Sequence, residues 1–278
     1  MKKFLKVLPQ YLAPQHTLTR VLGWLCESRW SWLKNWMIQT FIRRYQVNMQ
    51  DAQIENPLDY PTFNHFFIRH LKPELRPVVQ GVDQIACLVD GCVSQIGKIA
   101  QDSLFQAKGF YYNLSTLLGN EKNAMSFIDG NFATLYLAPR DYHRVHMPCS
   151  GTLRETTYIP GQLFSVNQLT TSVVPKLFTR NERLVCLFDT EQGPMAIILV
   201  GAMLVGSIHT TWDEAPCANK MVSKNHTGIH LNRGEELGYF KLGSTVIVVF
   251  GKNKVAWNEN LQPETHVKMG ELLGSIIK

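Results

Sequence analysis

Three short segments of the chain carry side chains that could do chemistry together. Asp90 ends an apolar run, His143 and His146 are three residues apart, and Ser244 follows Gly243. These residues supply an acid, a base and a nucleophile in the order Asp, His, Ser, and unrelated folds reach such triads in different chain orders. The alternative for the aspartate is a turn residue that caps its own backbone. The chain lacks G-x-S-x-G, which argues against an α/β-hydrolase.

The Gly243-Ser244 step lies just before Val246 to Phe250, a β-branched apolar run that predicts a buried strand. Glycine tolerates backbone conformations that are closed to other residues, so the peptide bond before Ser244 could be held strained and exposed. A serine in that position could attack the carbonyl group that precedes it. The alternative is a strand entry built from small residues, which needs no chemistry.

The spacing of His143 and His146 allows two interpretations. In an extended segment the two side chains point to opposite faces, so only one can line a given pocket. In one helical turn they share a face and could bind a metal ion. A metal site would need a third ligand, and the chain has no H-E-x-x-H-type pattern. We therefore predict no metal site.

From residue 84 onward the sequence is typical of short strands separated by turns. Helical apolar spacing occurs earlier, at 16–48 and 63–73. The predicted fold class is α+β, with a β-rich sandwich or barrel-like body preceded by N-terminal amphipathic helices. Two prolines near residue 75 divide a helical region, 1–75, from a β-rich domain, 76–278. Apolar or alternating runs predict strands at 84–89, 92–99, 132–138, 183–188, 195–200 and 205–210, and a short helix is predicted at 115–118.

The first fifty residues differ from the rest in charge and in tryptophan content. They contain eight Lys or Arg and one acidic residue, whereas the remainder is nearly neutral. Trp24, Trp30, Trp32 and Trp36, four of the six tryptophans, lie here. Tryptophan favours the membrane–water boundary, and each cation contributes about 1 kcal/mol near an anionic surface. We predict helices that lie in that interface. The alternatives are tryptophans packed on the core, or a nucleic-acid-binding segment, which no basic stripe elsewhere supports.

The rest of the sequence argues against several classes of protein. No apolar run reaches the roughly 18 residues of a spanning helix, and the chain has no dinucleotide fingerprint or P-loop. The N-terminus begins like a signal peptide, but Pro9 and Pro14 interrupt its apolar region and no small-residue cleavage site follows. We therefore predict a retained N-terminus and a cytoplasmic-side protein. None of the six cysteines forms a C-x-x-C pair, which favours reduced thiols.

Longer motifs are similar to those of one enzyme family. They are Phe-Phe-x-Arg-x-Leu-Lys-Pro-x-x-Arg-Pro at 66–77, Val-Asp-Gly at 89–91, Gln-Ala-Lys-Gly at 106–109, the block 132–148, Arg-Asn-Glu-Arg at 180–183, the segment 200–207 and Gly-Tyr-Phe-Lys-Leu-Gly-Ser-Thr at 238–245. With these motifs, from about Tyr45 to Phe250, the chain resembles the pyruvoyl-dependent phosphatidylserine decarboxylases, which make phosphatidylethanolamine. The Leu-Gly-Ser-Thr box at 242–245 corresponds to the self-processing site of that family.

The resemblance implies that the protein first cuts itself. His146, oriented by Asp90, would remove the hydroxyl proton of Ser244, and the oxygen would attack the carbonyl of Gly243. The acyl group then moves from nitrogen to oxygen, and β-elimination breaks the resulting ester. Loss of ammonia from the dehydroalanine that remains converts Ser244 into a pyruvoyl group, the covalent cofactor.

The second reaction that the resemblance implies is decarboxylation. The pyruvoyl carbonyl would form a Schiff base with the amine of phosphatidylserine and take up the electrons left when CO2 departs. His143 is expected to protonate the product carbon or to position the substrate carboxylate. Lys108 and Arg140 are candidate contacts for the phosphate or the carboxylate, with solvated surface cations as the alternative.

The resemblance also predicts partners and a location. The large chain, 1–243, and the small chain, 244–278, would stay together, in a homodimer of processed units. Phosphatidylserine and an anionic membrane surface are the expected partners, nucleic acid is not, and the expected location is the cytoplasmic side of the cell membrane, peripherally bound. Two other functions are a non-catalytic lipid-binding module and a serine hydrolase in which Ser244 stays a serine.

Overall fold

The computed structural model describes residues 2–203, 208–213, 219–241 and 244–277. Three features of the sequence prediction lie outside these ranges: Gly243 of the cleavage site, Cys217, and the start of the strand predicted at 205–210. Within the ranges, long helices come first and a β-rich body follows, so the predicted α+β class is confirmed.

The three longest helices lie in the first 45 residues. Two of them, together with a short helix near residue 65 and another near 115, confirm the helical predictions. The first helix precedes the helical spacing predicted at 16–48 and 63–73, and it contains Pro9. The helices are α1 (Lys2–Leu12), α2 (Gln15–Cys26), α3 (Ser31–Tyr45), α4 (Phe63–Phe67), α5 (Leu114–Leu118), α6 (Glu121–Met125), α7 (Gln168–Thr171) and α8 (Leu177–Arg180).

The strands account for most of the chain after residue 84. They are β1 (Gln84–Ala86), β2 (Gly91–Lys98), β3 (Ser103–Ala107), β4 (Phe110–Asn113), β5 (Asn131–Leu137), β6 (Arg144–His146), β7 (Gly151–Ile159), β8 (Arg183–Thr190), β9 (Gly193–Val200), β10 (Ile208–Thr210), β11 (Val222–Asn225), β12 (His230–Leu231), β13 (Glu236–Phe240), β14 (Ser244–Phe250), β15 (Val255–Trp257), β16 (His266–Val267) and β17 (Leu272–Ile276).

One large antiparallel sheet organises the body. Its strand order is β11-β7-β8-β9-β14-β5-β2-β16, and β12 pairs with β7 beside β11. Its two outermost strands do not pair with each other in the described ranges, so this sheet is open rather than a closed barrel. Smaller sheets are β1-β17-β15, β10-β13-β6 and the hairpin β3-β4.

Strand β14 occupies the middle of the large sheet. It pairs with β5 on one side and with β9 on the other, and all its residues are buried. A continuous apolar run such as Val246–Phe250 is stable there because both faces of the strand are covered, and each buried side chain contributes about 1.5–3 kcal/mol. Residue 244 is therefore held in the sheet by its partner on β5, and pairing on both sides begins with the next residue, Thr245.

The N-terminal region has its own apolar cluster but is tied to the body. The cluster consists of Cys26, Ile38, Val47, Tyr60, Phe63, Phe66 and Phe67. Contacts of several kinds link the region to the body: for example, Val7 of α1 belongs to the main core, Gln15 Oε1 accepts the N–H of Leu163 (2.7 Å), and Arg69 Nη2 donates to the carbonyl of Arg140 (2.9 Å). The division of the chain at residue 75 stays a prediction.

The four N-terminal tryptophans lie at the surface. Trp24, Trp30, Trp32 and Trp36 are 61–71% exposed, so the alternative in which they pack on the core is wrong. One of the eight cations behaves differently, because Lys34 is buried and its Nζ donates to two backbone carbonyls at 2.7 Å. Among the described residues, none of the helices combines the length and the apolar character that crossing a membrane requires.

Candidate active site

Three adjacent strand ends bring Asp90 and Ser244 to one edge of the large sheet. Strand β2 begins at Gly91, β5 ends at Leu137 and β14 begins at Ser244, and Leu137 is the register partner of Ser244. The chain approaches closely here, since a Cβ on Gly91 would lie 2.3 Å from the carbonyl oxygen of Tyr136. Asp90, directly before β2, therefore lies at the same edge as Ser244.

The hydroxyl group of Ser244 is buried and unpaired. Its side chain has no exposed surface, and Oγ has no hydrogen-bond partner within the ranges that the structure describes. Leaving a buried hydroxyl unpaired costs about 1–3 kcal/mol. The neighbouring Thr245 Oγ1 is in the same condition, so burial by itself does not single out the serine. Ser244 differs from Thr245 in following the glycine of the predicted cleavage site.

The segment that contains the two histidines is extended, which decides between the two interpretations of their spacing. His146 lies in β6 and His143 directly precedes that strand, so the two side chains point to opposite faces. Across the described parts of the chain, no group of three His, Cys, Asp or Glu side chains is arranged to hold a metal ion. The five described cysteines are free thiols.

His143 is fully buried against the N-terminal region. Its ring stacks on Phe67 with the ring centroids 4.2 Å apart, and neither ring nitrogen has a hydrogen-bond partner of good geometry in the described residues. Burial, followed by the charge of Arg69, lowers the pKa of His143 to about 3. The imidazole is therefore neutral at physiological pH. Its backbone carbonyl accepts the N–H of Phe240 (3.1 Å), four residues before Ser244.

His146 is held in one tautomer. Its Nδ1 lies 2.9 Å from the carbonyl oxygen of Gly234, which can only accept, so Nδ1 carries the proton. Nε2 is then the basic nitrogen, and it lies 3.1 Å from the hydroxyl of Tyr142. Burial is the largest cause that lowers the pKa of His146, and the Gly234 carbonyl partly offsets it.

Asp90 is fixed by two partners that the sequence did not identify. Arg76 Nε donates to both of its carboxylate oxygens (2.8 and 3.0 Å), Arg76 Nη2 donates to Oδ2, and the N–H of Met269 donates to Oδ1 (2.9 Å). Removing the guanidinium would leave a nearly buried charge unpaired, which costs about 3–5 kcal/mol. The motif at 66–77 contains Arg76, but its spacing does not say which carboxylate Arg76 binds.

The backbone, rather than a side-chain hydrogen bond, connects Asp90 to His146. The N–H of His146 donates to the carbonyl of Leu88 (2.9 Å), two residues before Asp90. The hydrogen bonds of the described residues do not include one between the Asp90 carboxylate and the His146 ring. Gly234 and Tyr142 orient the ring instead, and Asp90 acts on it through its charge, which raises the pKa of His146.

Cavities surround this edge of the sheet. A cavity of about 340 Å³ is lined by Arg69, Arg76, Asp90, Arg140, Tyr142 and His266, among others. A larger one, of about 810 Å³, shares Asp141 and His266 with it and has Lys3 and Lys108 in its lining. Of the two candidate anion contacts, Lys108 is thus in the larger cavity, where the nearby Lys3 lowers its pKa, and Arg140 is in the cavity of Asp90.

Comparisons with known proteins cover nearly the whole chain. A family model described as phosphatidylserine decarboxylase matches residues 63–275, and a second, described as PSD, matches residues 5–46. A phosphatidylserine decarboxylase proenzyme of Idiomarina loihiensis is 48% identical over 98% of this chain and 96% of its own length. Proenzymes of the same name from Bordetella petrii (50% identical, 95% of this chain, 94% of the relative) and Pseudomonas entomophila (51%, 98% and 98%) are equally similar.

Proposed function

The chain belongs to the phosphatidylserine decarboxylase family, and from this premise we propose that it is a self-cleaving proenzyme of that activity. It cuts itself before Ser244, and the cut form converts phosphatidylserine into phosphatidylethanolamine and CO2. The observation that carries the proposal is the position of Ser244 within the matched region: it follows Gly243 at the entry of a central strand, and its buried hydroxyl has no partner among the described residues.

The residues at this strand entry fit a pyruvoyl group at position 244. The position is fully buried, and β5 and β9 flank the strand on either side, so the new terminus stays in place after the cut. His143 is fully buried, and its ring nitrogens have no hydrogen-bond partner of good geometry among the described residues. The pyruvoyl group supplies a reactive carbonyl for the substrate amine and an electron sink for decarboxylation.

Self-cleavage uses the chain's own residues. Neutral His146 takes the Ser244 proton at Nε2, and Oγ attacks the carbonyl carbon of Gly243, which lies outside the described residues. The Gly243–Ser244 C–N bond breaks as the C–O ester bond forms. Elimination then releases the carboxylate of Gly243 and leaves dehydroalanine, and water replaces its nitrogen to give the pyruvoyl group and ammonia.

Asp90 supports the base electrostatically. Its carboxylate is fixed by Arg76 and by the Met269 N–H, and its charge favours the imidazolium that forms at His146 when Ser244 loses its proton. Arg76 also neutralises part of that charge. A nearly buried carboxylate paired in this way destabilises the fold less than an unpaired one would.

Denaturing mass spectrometry of the purified, active protein tests the proposed function. We expect two chains, residues 1–243 and residues 244–278, with a pyruvoyl group in place of Ser244 at the start of the smaller one. The net loss of one ammonia distinguishes that terminus from a serine. A single unmodified chain in a preparation that decarboxylates phosphatidylserine would contradict the proposal. Cleavage that leaves an intact Ser244 would favour a serine hydrolase instead.

We further propose that α2 and α3 lie in an anionic membrane surface on the cytoplasmic side. The exposed tryptophans support this, as do exposed apolar side chains on α1, which include Leu5 and Leu12. Residues 1–50 also carry most of the net positive charge. The homodimer of processed units remains a prediction from the resemblance.

Replacing Trp30, Trp32 and Trp36 together with Ser is expected to weaken binding to phosphatidylserine-containing vesicles at least tenfold, because each ring is lost from the interface. Vesicle cosedimentation measures the change. Tyr111→Ser removes an exposed aromatic ring from the hairpin β3-β4 and should bind like the unmodified protein. Equal binding by the triple variant would mean that α3 does not contact the membrane.

A further inference from the structure

A cavity lies between the end of the tryptophan-bearing helix and the loop that leads into the active site. It has a volume of about 410 Å³ and is lined by Arg44, Tyr45, Gln46, Ala138, Pro139 and Arg140. Arg44 lies in the last turn of α3. Arg140 lies midway between Leu137, the register partner of Ser244, and His143. Gln46 and Arg140 also line the cavity that contains Asp90, so the two cavities are adjacent.

The two guanidinium groups of this cavity have free donors. Arg140 Nε is 3.9 Å from Asp141 Oδ1, too far for a hydrogen bond, and its side chain is half exposed. The Arg44 guanidinium carbon lies 5.9 Å from the centroid of the Tyr45 ring, and no carboxylate in the described part of the chain pairs with this arginine. The lining of the cavity includes no acidic residue. Arg44 and the half-exposed Arg140, whose charge Asp141 offsets in part, place two cationic groups at one cavity. Two such groups attract an anion, and their planar donors suit a phosphate group.

We infer that Arg44 and Arg140 bind the phosphodiester of the glycerophospholipid substrate. This inference rests on the proposed function and adds the site of the headgroup phosphate. In phosphatidylserine the amine and the carboxylate are at one end, the phosphate comes next, and the acyl chains follow. The chain positions are compatible with this order: Arg140 is three residues from Leu137, the register partner of Ser244, and Arg44 is eight residues after the exposed Trp36 of α3. A lipid held in this way reaches the reacting position while its chains stay at the membrane.

The adjacent Arg43 distinguishes this site from general attraction to the membrane. It lies in the same turn of α3, but its Nε donates to the carbonyl of Gln39 (3.3 Å), and it is absent from the lining of the cavity. Arg43→Gln therefore removes the same charge from the same helix without removing a donor from the proposed site, and it is the matched control.

The first test measures decarboxylation of phosphatidylserine in neutral detergent micelles, where surface charge contributes little. Arg44→Gln and Arg140→Gln should each raise KM about tenfold, the loss expected for a charge-assisted hydrogen bond, with a smaller change in kcat. Arg43→Gln should resemble the unmodified enzyme. All three variants should be cut normally, because none of these residues belongs to the self-cleavage machinery. An unchanged KM in Arg44→Gln and Arg140→Gln, or an equal increase in all three variants, would overturn the inference.

The second test does not depend on catalysis, so it separates this inference from the proposed function. Calorimetry on the Ser244→Ala chain measures binding of short-chain phosphatidylserine, and of inorganic phosphate as a second ligand. Adding Arg140→Gln should weaken lipid binding about tenfold, whereas adding Arg43→Gln should not. Lipid binding that survives Arg140→Gln would overturn the inference, even if the protein is a decarboxylase. Phosphate that binds as tightly as the lipid would also overturn it, because the site would then be one for free anions.

Discussion

Ser244→Ala is expected to leave the protein as one uncut chain of 278 residues without decarboxylase activity, and His146→Ala is expected to slow the cut strongly. The two variants fail for different reasons. Ser244→Ala removes the attacking oxygen, so no cut should occur at any time. His146→Ala removes the base, which typically contributes about 10²–10⁴ to a rate, so a slow residual cut is expected. Denaturing mass spectrometry after timed incubation measures both outcomes.

The cutting rate should also depend on pH in a defined direction. His146 acts as a base, so its neutral form is required, and activity is lost as pH falls through its pKa. Burial lowers that pKa below the ordinary value of 6.5, so the rate should be constant from pH 8 to about 6.5 and fall only below it. The measurement follows freshly translated chain at each pH. A rate that already falls between pH 8 and pH 6.5 would contradict this role.

The matched control for His146→Ala is His230→Ala. His230 is exposed, and its Nδ1 lies 3.0 Å from the hydroxyl of Thr152, away from the strand ends that form the site. This substitution removes one imidazole and leaves the self-cleavage residues unchanged, so the variant should be cut like the unmodified chain. If His146→Ala is cut as fast as His230→Ala, His146 is not the base.

The local patterns of the sequence were sufficient to predict most of the fold. Val246 to Phe250 indicated a buried strand, and the structure extends that strand back to Ser244. The exception is α1, which precedes the predicted helical spacing and contains Pro9. Packing on the body stabilises this helix despite the proline, since Val7 is fully buried in the main core and Tyr11 contacts Phe164 with ring centroids 4.8 Å apart. Such long-range contacts cannot be deduced from local spacing.

The candidate site, like the fold, was predicted only in part from the sequence. Residue types and motifs indicated Asp90, His146 and Ser244, but they could not reveal what holds each one. Met269, whose N–H binds the Asp90 carboxylate, is 179 positions away in the sequence, and Gly234, which fixes the His146 tautomer, is 88 positions away. These pairings follow from strand topology. Likewise, only the extended conformation before β6 decides that His143 and His146 face different surroundings.

His143→Ala is expected to be cut normally but to lose about 10²–10⁴ in decarboxylation rate. His143 is fully buried, and burial with the charge of Arg69 lowers its pKa to about 3, so before substrate binds the ring stays neutral. An anionic headgroup that enters beside it raises this pKa, because an opposite charge favours the imidazolium. The substrate thus allows His143 to hold the proton that the product carbon needs after CO2 leaves. Release of CO2 and denaturing mass spectrometry on the same sample measure the two activities separately.

The control for this variant keeps the imidazole and loosens its surroundings. Phe67→Leu removes the ring that stacks on His143 and should destabilise the fold, while most of the decarboxylase activity remains. If His143 only fills space, His143→Ala and Phe67→Leu should have similar effects on stability and little effect on rate. A large loss of CO2 release in His143→Ala alone would assign the imidazole to the chemistry.

The strand register bears on which of the two histidines activates Ser244. The carbonyl of His143 accepts the N–H of Phe240, four residues before Ser244, whereas His146 pairs with Glu236, eight residues before it. In this register His143 is the histidine nearer to the processed segment. If His143→Ala stays uncut and His146→Ala is cut, the two histidines exchange the roles proposed for them, and the base that activates Ser244 is the one stacked on Phe67. Normal cutting in His143→Ala, together with lost CO2 release, would instead restrict His143 to the second reaction.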